Sequence, residues 1–540
     1  MSPFPIPRLP VRRLLRALPC VLLPLLPAVM AVGLVYALFG THPGRFVPHL
    51  TDEFNYWHQI ATFAAHGWNG GYYTVEEHPA AAAFSHFGVH GPGYVVLYGL
   101  IAKVVGWHLW SAPVFNMAVL ALALAAFSAL ARPGPGRVGL AALVVALFWP
   151  LHTFLMTNMQ ASVHFAAAIV LAAVFARLLA ARDAPPRAVA ALGLVLIAAA
   201  ALLRPTWAIL LLPLFLLALP PGVVRRPGPA VFAVLGAAVL TGVLFAVYNH
   251  LAAPFPVNIL AQLKERLAHG NPLGAARTLA AYAGNNLGAF LVVPDSPRHA
   301  LAMAQRIAVL ALAAYSGVRL VRAARARRAA GGRAWGLSDA DAADGFHVVN
   351  LLGITVLCVL LRPLDTFHDY RPMAPHLLLS VLVHALSGRK VATLAFAGVY
   401  AVLSIAFVSE YRVYHYPRFY GGESPLFSPS ERALYQARVA DRIRFDPAAG
   451  PWTNTLVVDR GAYDKRLLAI PPGIGITRVF DWDRVDAPLK SRWLLIHRGS
   501  YPGAVARAPR MRPVAVTRFG TLFVNPDTAG GAPSGTASPP

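Results

Sequence analysis

The run LPCVLLPLLPAVMAVGLVYALF, residues 18–39, is followed a short way on by Thr51-Asp52-Glu53-Phe54-Asn55-Tyr56-Trp57. The first stretch is long and apolar enough to cross a hydrocarbon core, which takes roughly 20 residues. The second places an acidic pair just beyond it. Arg8, Arg12, Arg13 and Arg16 precede the apolar run, which continues to Gly40 without a small-residue cleavage site. It reads as an uncleaved first span with a cytoplasmic N-terminus.

The rest of the 540-residue chain has the same character: 57% of it is hydrophobic and only 13% charged, with mean hydropathy +0.55. Soluble domains carry about a quarter charged residues, so lipid is the solvent here. The net charge of +24, from 47 Lys and Arg against 23 Asp and Glu, would suit a nucleic-acid binder, but the arginines sit in short connectors beside apolar runs. That is where the positive-inside rule puts them, and no nucleic-acid partner is expected.

Further spans are predicted at 110–131, 138–157, 163–181, 189–203 paired with 207–219 through a hinge at Arg204-Pro205, 231–248, 301–320, 348–361, 373–386 and 391–408. The apolar stretch 92–108, interrupted by Lys103, reads as interfacial or re-entrant. With it left out, every basic connector falls on one side, giving about eleven spans, the N-terminus inside and the C-terminus outside. The expected division is a transmembrane domain over 1–408, with outer loops at 41–109 and 249–300. An extracytoplasmic α/β domain over 409–528 and a Gly/Ala/Ser/Pro-rich, disordered tail over 529–540 follow. The outer domain has strand-like runs at 455–459, 475–480, 492–496, 513–516 and 521–524. It carries neither a nucleophile elbow nor paired cysteines, so it reads as a cap or acceptor-binding domain. Cys20 and Cys358 lie in apolar runs as buried thiols.

The first outer loop carries the chemistry. Phe54, Trp57, Ala61 and Ala64 recur at helical spacing and Gly67 is a stop signal, so an interfacial amphipathic helix starts at the acidic pair. One reading of Asp52 and Glu53 is helix capping, with Thr51 as N-cap; the other is catalysis. Glu76, Glu77, His78, Pro79 and His86 follow in the same loop, then His90-Gly91-Pro92-Gly93 leads into the next helix. Arg204 interrupts an apolar run, which is costly unless the charge is paired, snorkelling or used. Residues 362–372 form a polar turn ending His368-Asp369-Tyr370-Arg371-Pro372, readable as a solvated turn or a binding loop. No histidine pair has metal-ligand spacing such as HExxH, so solvated or substrate-contacting histidines are the favoured reading over a divalent-cation site, and no cofactor is expected.

This arrangement resembles the GT-C class of membrane glycosyltransferases, in particular the protein O-mannosyltransferase and aminoarabinose-transferase relatives. The likeness is architectural and covers roughly the first 400 residues. In that class an acidic pair opens the first outer loop and a His-Pro-Pro-like turn enters the second juxtamembrane helix; here the turn is His90-Gly91-Pro92-Gly93. The resemblance implies a bacterial inner-membrane enzyme that takes a sugar from a polyprenyl-phosphate donor and passes it, with inversion, to a glycan, lipid or protein acceptor at the outer face. It assigns Asp52 as the base and Glu53 as second carboxylate. Arg204 and Arg371 would hold the donor phosphate, and His78, His90, His368, Asp369 and Tyr370 would contact substrate. The competing readings are a lipid or polysaccharide transporter or flippase, which would show paired broken helices, and a noncatalytic envelope-assembly protein.

Overall fold

The computed structural model describes residues 21–71, 73–77, 87–224, 226–253, 259–291, 295–330, 339–361, 370–420, 429–462, 464–485, 488–497, 508, 510–517 and 520–529. A 3₁₀ turn at Leu23–Leu25 leads into α1 (Leu26–Phe39), then come α2 (Thr51–His66), α3 (Gly93–Val105) and α4 (Ser111–Ala131). Next are α5 (Pro135–Leu147), α6 (Trp149–Leu155), α7 (Ala161–Ala180), α8 (Arg187–Leu203), α9 (Leu211–Ala218) and α10 (Pro227–Leu251). The surface hairpin α11 (Ile259–Ala268) and α12 (Pro272–Phe290) precedes the long helices α13 (Pro297–Ala329), α14 (Asp339–Leu361), α15 (Tyr370–Leu386) and α16 (Lys390–Phe419). Lys264 and Arg266 are exposed on α11.

Six of these helices are long and apolar enough to cross a membrane, seven if α5 and α6 count as one bent span. The chain is a multi-pass helical membrane protein. The helices at Leu23–Phe39, Gly93–Val105, Arg187–Leu203 and Pro205–Ala218 are apolar but shorter. Exposed apolar side chains on α10, such as Phe232 at 77% and Val239 at 67%, face outward where lipid solvates them.

Several spans are longer than the sequence expectation, α13 reaching Ala329 and α14 starting at Asp339, and two further differences bear on the packing around the site. The run at 138–157 is bent by 59° between α5 and α6. Pro150 has no N–H to continue the ladder, and the ring of His152 takes its place: Nε2–H donates to the carbonyls of Val145 and Ala146, each at 3.0 Å. The last helix does not stop at 408 but runs on to Phe419. Its extension is anchored by Tyr411, His415 and Arg418, all buried.

The C-terminal region, opened by α17 (Pro429–Arg438), holds β2 (Thr455–Asp459), β3 (Gly475–Val479), β4 (Trp493–Ile496), β5 (Arg512–Thr517) and β6 (Gly520–Val524). The sheet has six strands, and its edge strand comes from elsewhere. β1 (Thr74–Val75) belongs to the segment between α2 and α3 and pairs parallel with β3, in the order β1-β3-β2-β4-β6-β5. The strands alternate faces. Leu456, Val458, Ile476 and Leu495 pack with Phe54 of α2 and Tyr73 just after it, whereas Val457, Val479, Leu494 and Ile496 form a separate core on the far face. Polar contacts tie the same seam. Thr74 and Thr477 share a hydroxyl hydrogen bond of 2.6 Å, and the Glu77 carboxylate accepts from the N–H groups of Lys490 and Ser491, both at 2.9 Å. The C-terminal sheet is thereby fastened to the segment that follows α2.

Candidate active site

Helix α2 begins at Thr51, and its acidic pair splits because successive side chains on a helix diverge by about 100°. Glu53 turns inward. It is fully buried, its Oε2 accepts from the backbone N–H groups of His49 and Leu50 at 2.9 and 2.8 Å, and its Oε1 accepts from Asn158 N–H at 2.9 Å. Arg418, also fully buried, completes the set with Nη2 3.0 Å from Oε2. Glu53 therefore caps its own helix by reaching back, as the third residue of a capping box does, and clamps α2 to the ends of α7 and α16. It does not line the cavity described next, so the second-carboxylate assignment has no support in its position.

Asp52 turns the other way, into a cavity of about 1230 Å³. Its partners are longer range: His90 Nε2 at 3.9 Å and Arg371 Nη1 at 3.8 Å, with about a third of the side chain exposed to the cavity. Burial pushes the carboxyl up, but the His90 ring, and beyond it Arg371 and Arg478, push it further down, and it is held below the ordinary aspartate range. His90 is set by its neighbour Tyr56, one turn past Asp52, whose ring lies 5.3 Å away.

The basic groups come from a helix break, a helix start and a strand. Arg204 ends α8 in an extended conformation, Pro205 starts a 3₁₀ turn to Leu210, and Arg204 Nη1 donates to the carbonyl of Arg371 at 3.3 Å. The break is packed closely: a Cβ on Gly353 of α14 would come within 1.8 Å of Ile209 Cδ1. Arg371 sits in the first turn of α15, where the helix dipole disfavours a cation, so charge there needs a partner. Arg478 of β3 also lines the cavity, with its guanidinium 4.2 Å from the Phe480 ring centre. Among the described lining residues, three guanidiniums face one carboxylate.

Asn55, Gln160, Thr206, Thr241 and Asn249 add polar groups to the lining, and much of the rest is apolar. Ala238, Gly242 and Phe245 of α10 oppose Leu352, Val356 and Leu357 of α14. Leu352 and Val356 are 43% and 51% exposed, so this end of the cavity opens between two helices whose outer surfaces meet hydrocarbon. The site is amphipathic, with a cationic end at the bundle rim and an oily trough running into the helices. Cys358 also lines the trough and is buried.

Of the residues singled out in the sequence, Asp52, His90, Arg204 and Arg371 meet in this one cavity. His78, His368 and Asp369 lie outside the described residues, as do His86 and Cys20, and so does the side chain of Tyr370, whose backbone opens α15. Sequence reading missed Tyr56, Tyr248 and Arg478. Tyr56 shares the helical face of Asp52, a legible signal; Arg478 stands in an ordinary strand and carries none. Among the described residues, no group of three or more His, Cys, Asp or Glu side chains is placed to hold a metal ion.

Neither a protein-family model nor a curated protein sequence matches the chain. Among solved structures, the chain is similar to the apo state of ArnT from Cupriavidus metallidurans, with 13% identity and a TM-score of 0.42 over 94% of this chain and 99% of that one. It is likewise similar to the same ArnT bound to undecaprenyl phosphate, with 14% identity and a TM-score of 0.43 over 94% of this chain and 99% of that one.

Proposed function

We propose that the chain is an inverting membrane glycosyltransferase that moves a sugar from a polyprenyl-phosphate donor to an envelope acceptor at the outer face of the cytoplasmic membrane. The observation that carries the reading is the shape and charge of one cavity. The one carboxylate among the described lining residues stands with Arg204 and Arg371 at one end, and a largely apolar trough lies at the other. The trough fits a polyprenyl chain, and Arg204 and Arg371 lie where its phosphate would meet the rim. The basic connectors at Arg132, Arg182, Arg226 and Arg389 occupy the opposite ends of the helices, which the positive-inside rule assigns to the cytoplasm.

In this reading Asp52 is the base. The acceptor oxygen attacks the anomeric carbon as the bond to the phosphate oxygen breaks, its proton passes to Asp52, and the electron pair leaves with the polyprenyl phosphate. The anomeric carbon develops oxocarbenium character, which the Asp52 carboxylate stabilises. Arg371 and Arg204 take up the growing phosphate charge. A phosphate beside Arg371 draws that cation away from Asp52, which raises the basicity of the carboxylate when donor is bound. His90 holds the carboxylate in place.

A strain lacking the protein should accumulate one polyprenyl-phosphate sugar. The wild-type chain should clear it and Asp52→Asn, made to the same level, should not. Clearance by Asp52→Asn equal to wild type would remove the catalytic assignment.

A further inference from the structure

His90 reaches Asp52 from a turn, residues 87–92, that belongs to neither a helix nor a named strand. Its backbone is gripped from two sides. From α2, Gln59 Oε1 accepts the Gly88 N–H at 2.9 Å, while Gln59 Nε2 donates to Asn55 Oδ1 at 2.8 Å. Asp52, Asn55, Tyr56 and Gln59 fall at i, i+3, i+4 and i+7, one face of the helix, so the helix that carries the acid also carries this grip. From α10, the Tyr248 hydroxyl donates to the Val89 carbonyl at 3.2 Å. Just past the end of that helix, Ala253 N–H donates to the Phe87 carbonyl at 2.9 Å. The Tyr248 ring also backs Gly91, where an added Cβ would come within 2.4 Å of Cε2. Gly91 has φ +76°, a conformation that glycine enters without strain. Val89 and Gly91 flank His90 in the chain, so Tyr248 holds the backbone on both sides of the histidine.

We infer that Tyr248 is a positioning residue for the transfer step, fixing the His90 ring against the Asp52 carboxylate through Val89 and Gly91. The inference rests on reading Asp52 as the base of a glycosyl-transfer site. His90 Nε2 stands 3.9 Å from Asp52 Oδ1, already at the edge of a direct interaction, so a small rotation of the turn removes it. Tyr248 follows Thr241 and Phe245 at i+7 and i+3 on the face of α10 that lines the cavity. One helix therefore borders the apolar trough and, at its end, sets the group that holds the base.

The test adds purified full-length protein to detergent-solubilised membranes of a strain lacking it, which hold both acceptor and accumulated donor. Loss of the polyprenyl-phosphate sugar is followed by mass spectrometry across a pH series, and undecaprenyl phosphate binding is titrated separately by native mass spectrometry. Tyr248→Phe keeps the ring against Gly91 and removes only the hydroxyl. It should lower kcat/KM by about three- to tenfold, the worth of one hydrogen bond. Its acid limb should move up in pH, as it should when the His90 ring itself is removed, because His90 is what most depresses the Asp52 carboxyl. In the His90→Ala background the same change should cost less than about twofold, since a residue that acts through His90 has nothing left to act on. Undecaprenyl phosphate affinity should stay within about twofold of wild type. Gln59→Leu, which frees the turn from α2 instead, should move the limb in the same direction and keeps the test open if Tyr248→Phe is poorly folded. An acid limb that stays in place in both variants overturns the inference. So does a full loss of rate from Tyr248→Phe in the His90→Ala background. A tenfold loss of undecaprenyl phosphate affinity in Tyr248→Phe also overturns it, by making Tyr248 a donor-binding group and leaving the glycosyl-transfer reading standing. Failure of wild type to consume the accumulated lipid sinks that underlying reading, and this inference with it.

Discussion

Glu53 and Arg418 form a wholly enclosed ion pair, Nη2 to Oε2 at 3.0 Å with neither side chain exposed. Tyr414 stacks on the same guanidinium at 4.3 Å, and the backbone N–H groups of His49, Leu50 and Asn158 satisfy the carboxylate. Because Glu53 is pinned inward, the residue before it on the helix must face the cavity.

Breaking this pair should therefore unfold rather than merely inactivate. Removing one partner of a buried pair leaves an uncompensated charge and costs about 3–5 kcal/mol. Arg418→Leu is expected to lower the thermal unfolding midpoint in detergent and the yield of inserted protein, with activity falling in proportion. An Arg418→Leu protein with wild-type melting behaviour would show that the clamp is not structural.

Asp52→Asn should behave in the opposite way. The partners of Asp52 lie near 4 Å, so its loss should cost less stability than breaking the enclosed Glu53–Arg418 pair, while removal of a base slows transfer by about 10²-fold or more. Melting curves and transfer rates measured on one preparation separate the two carboxylates.

The acid side of the kcat/KM profile, which reports the enzyme without donor, should lie low. The Asp52 carboxyl is held below its ordinary range, so it stays ionised as pH falls past the unfolded value of about 3.9 and is lost only on passing the depressed one. Its contribution to stability has the same sign, present above the unfolded pKa and disappearing as pH falls through the folded one. His90→Ala removes the group that depresses it most, and the acid limb should move up in pH. A limb that stays in place in His90→Ala would show that another group sets it.

Loosening the seam between the domains should be felt in the first outer loop. Glu77→Ala leaves the N–H groups of Lys490 and Ser491 without their acceptor, a cost of about 1–3 kcal/mol for each buried group. Hydrogen exchange at residues 71–77 should accelerate while α4 and α7 remain protected. Unchanged exchange at Thr74 and Val75 would mean that β1 is held by its strand pairing alone.

Much of this was legible in order along the chain. The outer-domain strands fall where alternation and turn residues put them, because a strand's period is a local property. The sites of Asp52, Arg204 and Arg371 were marked by cost, since charge beside apolar runs needs a use. The division of labour within Asp52-Glu53 was not legible. It depends on Arg418 and Asn158, remote residues whose own surroundings give no sign of a partner.

Taken alone, then, composition and periodicity determined that the chain lives in lipid, that an amphipathic helix opens with two acids, and that helices break at prolines beside arginines. Each of these is set by solvent and by neighbours within a turn or two. Only tertiary structure decided which acid faces the cavity, that a strand of the first loop completes the outer sheet, and that Arg478 shares a chamber with Asp52. Those outcomes come from packing between segments hundreds of residues apart, where the free energy of burying one pair of faces selects a geometry that no local pattern encodes.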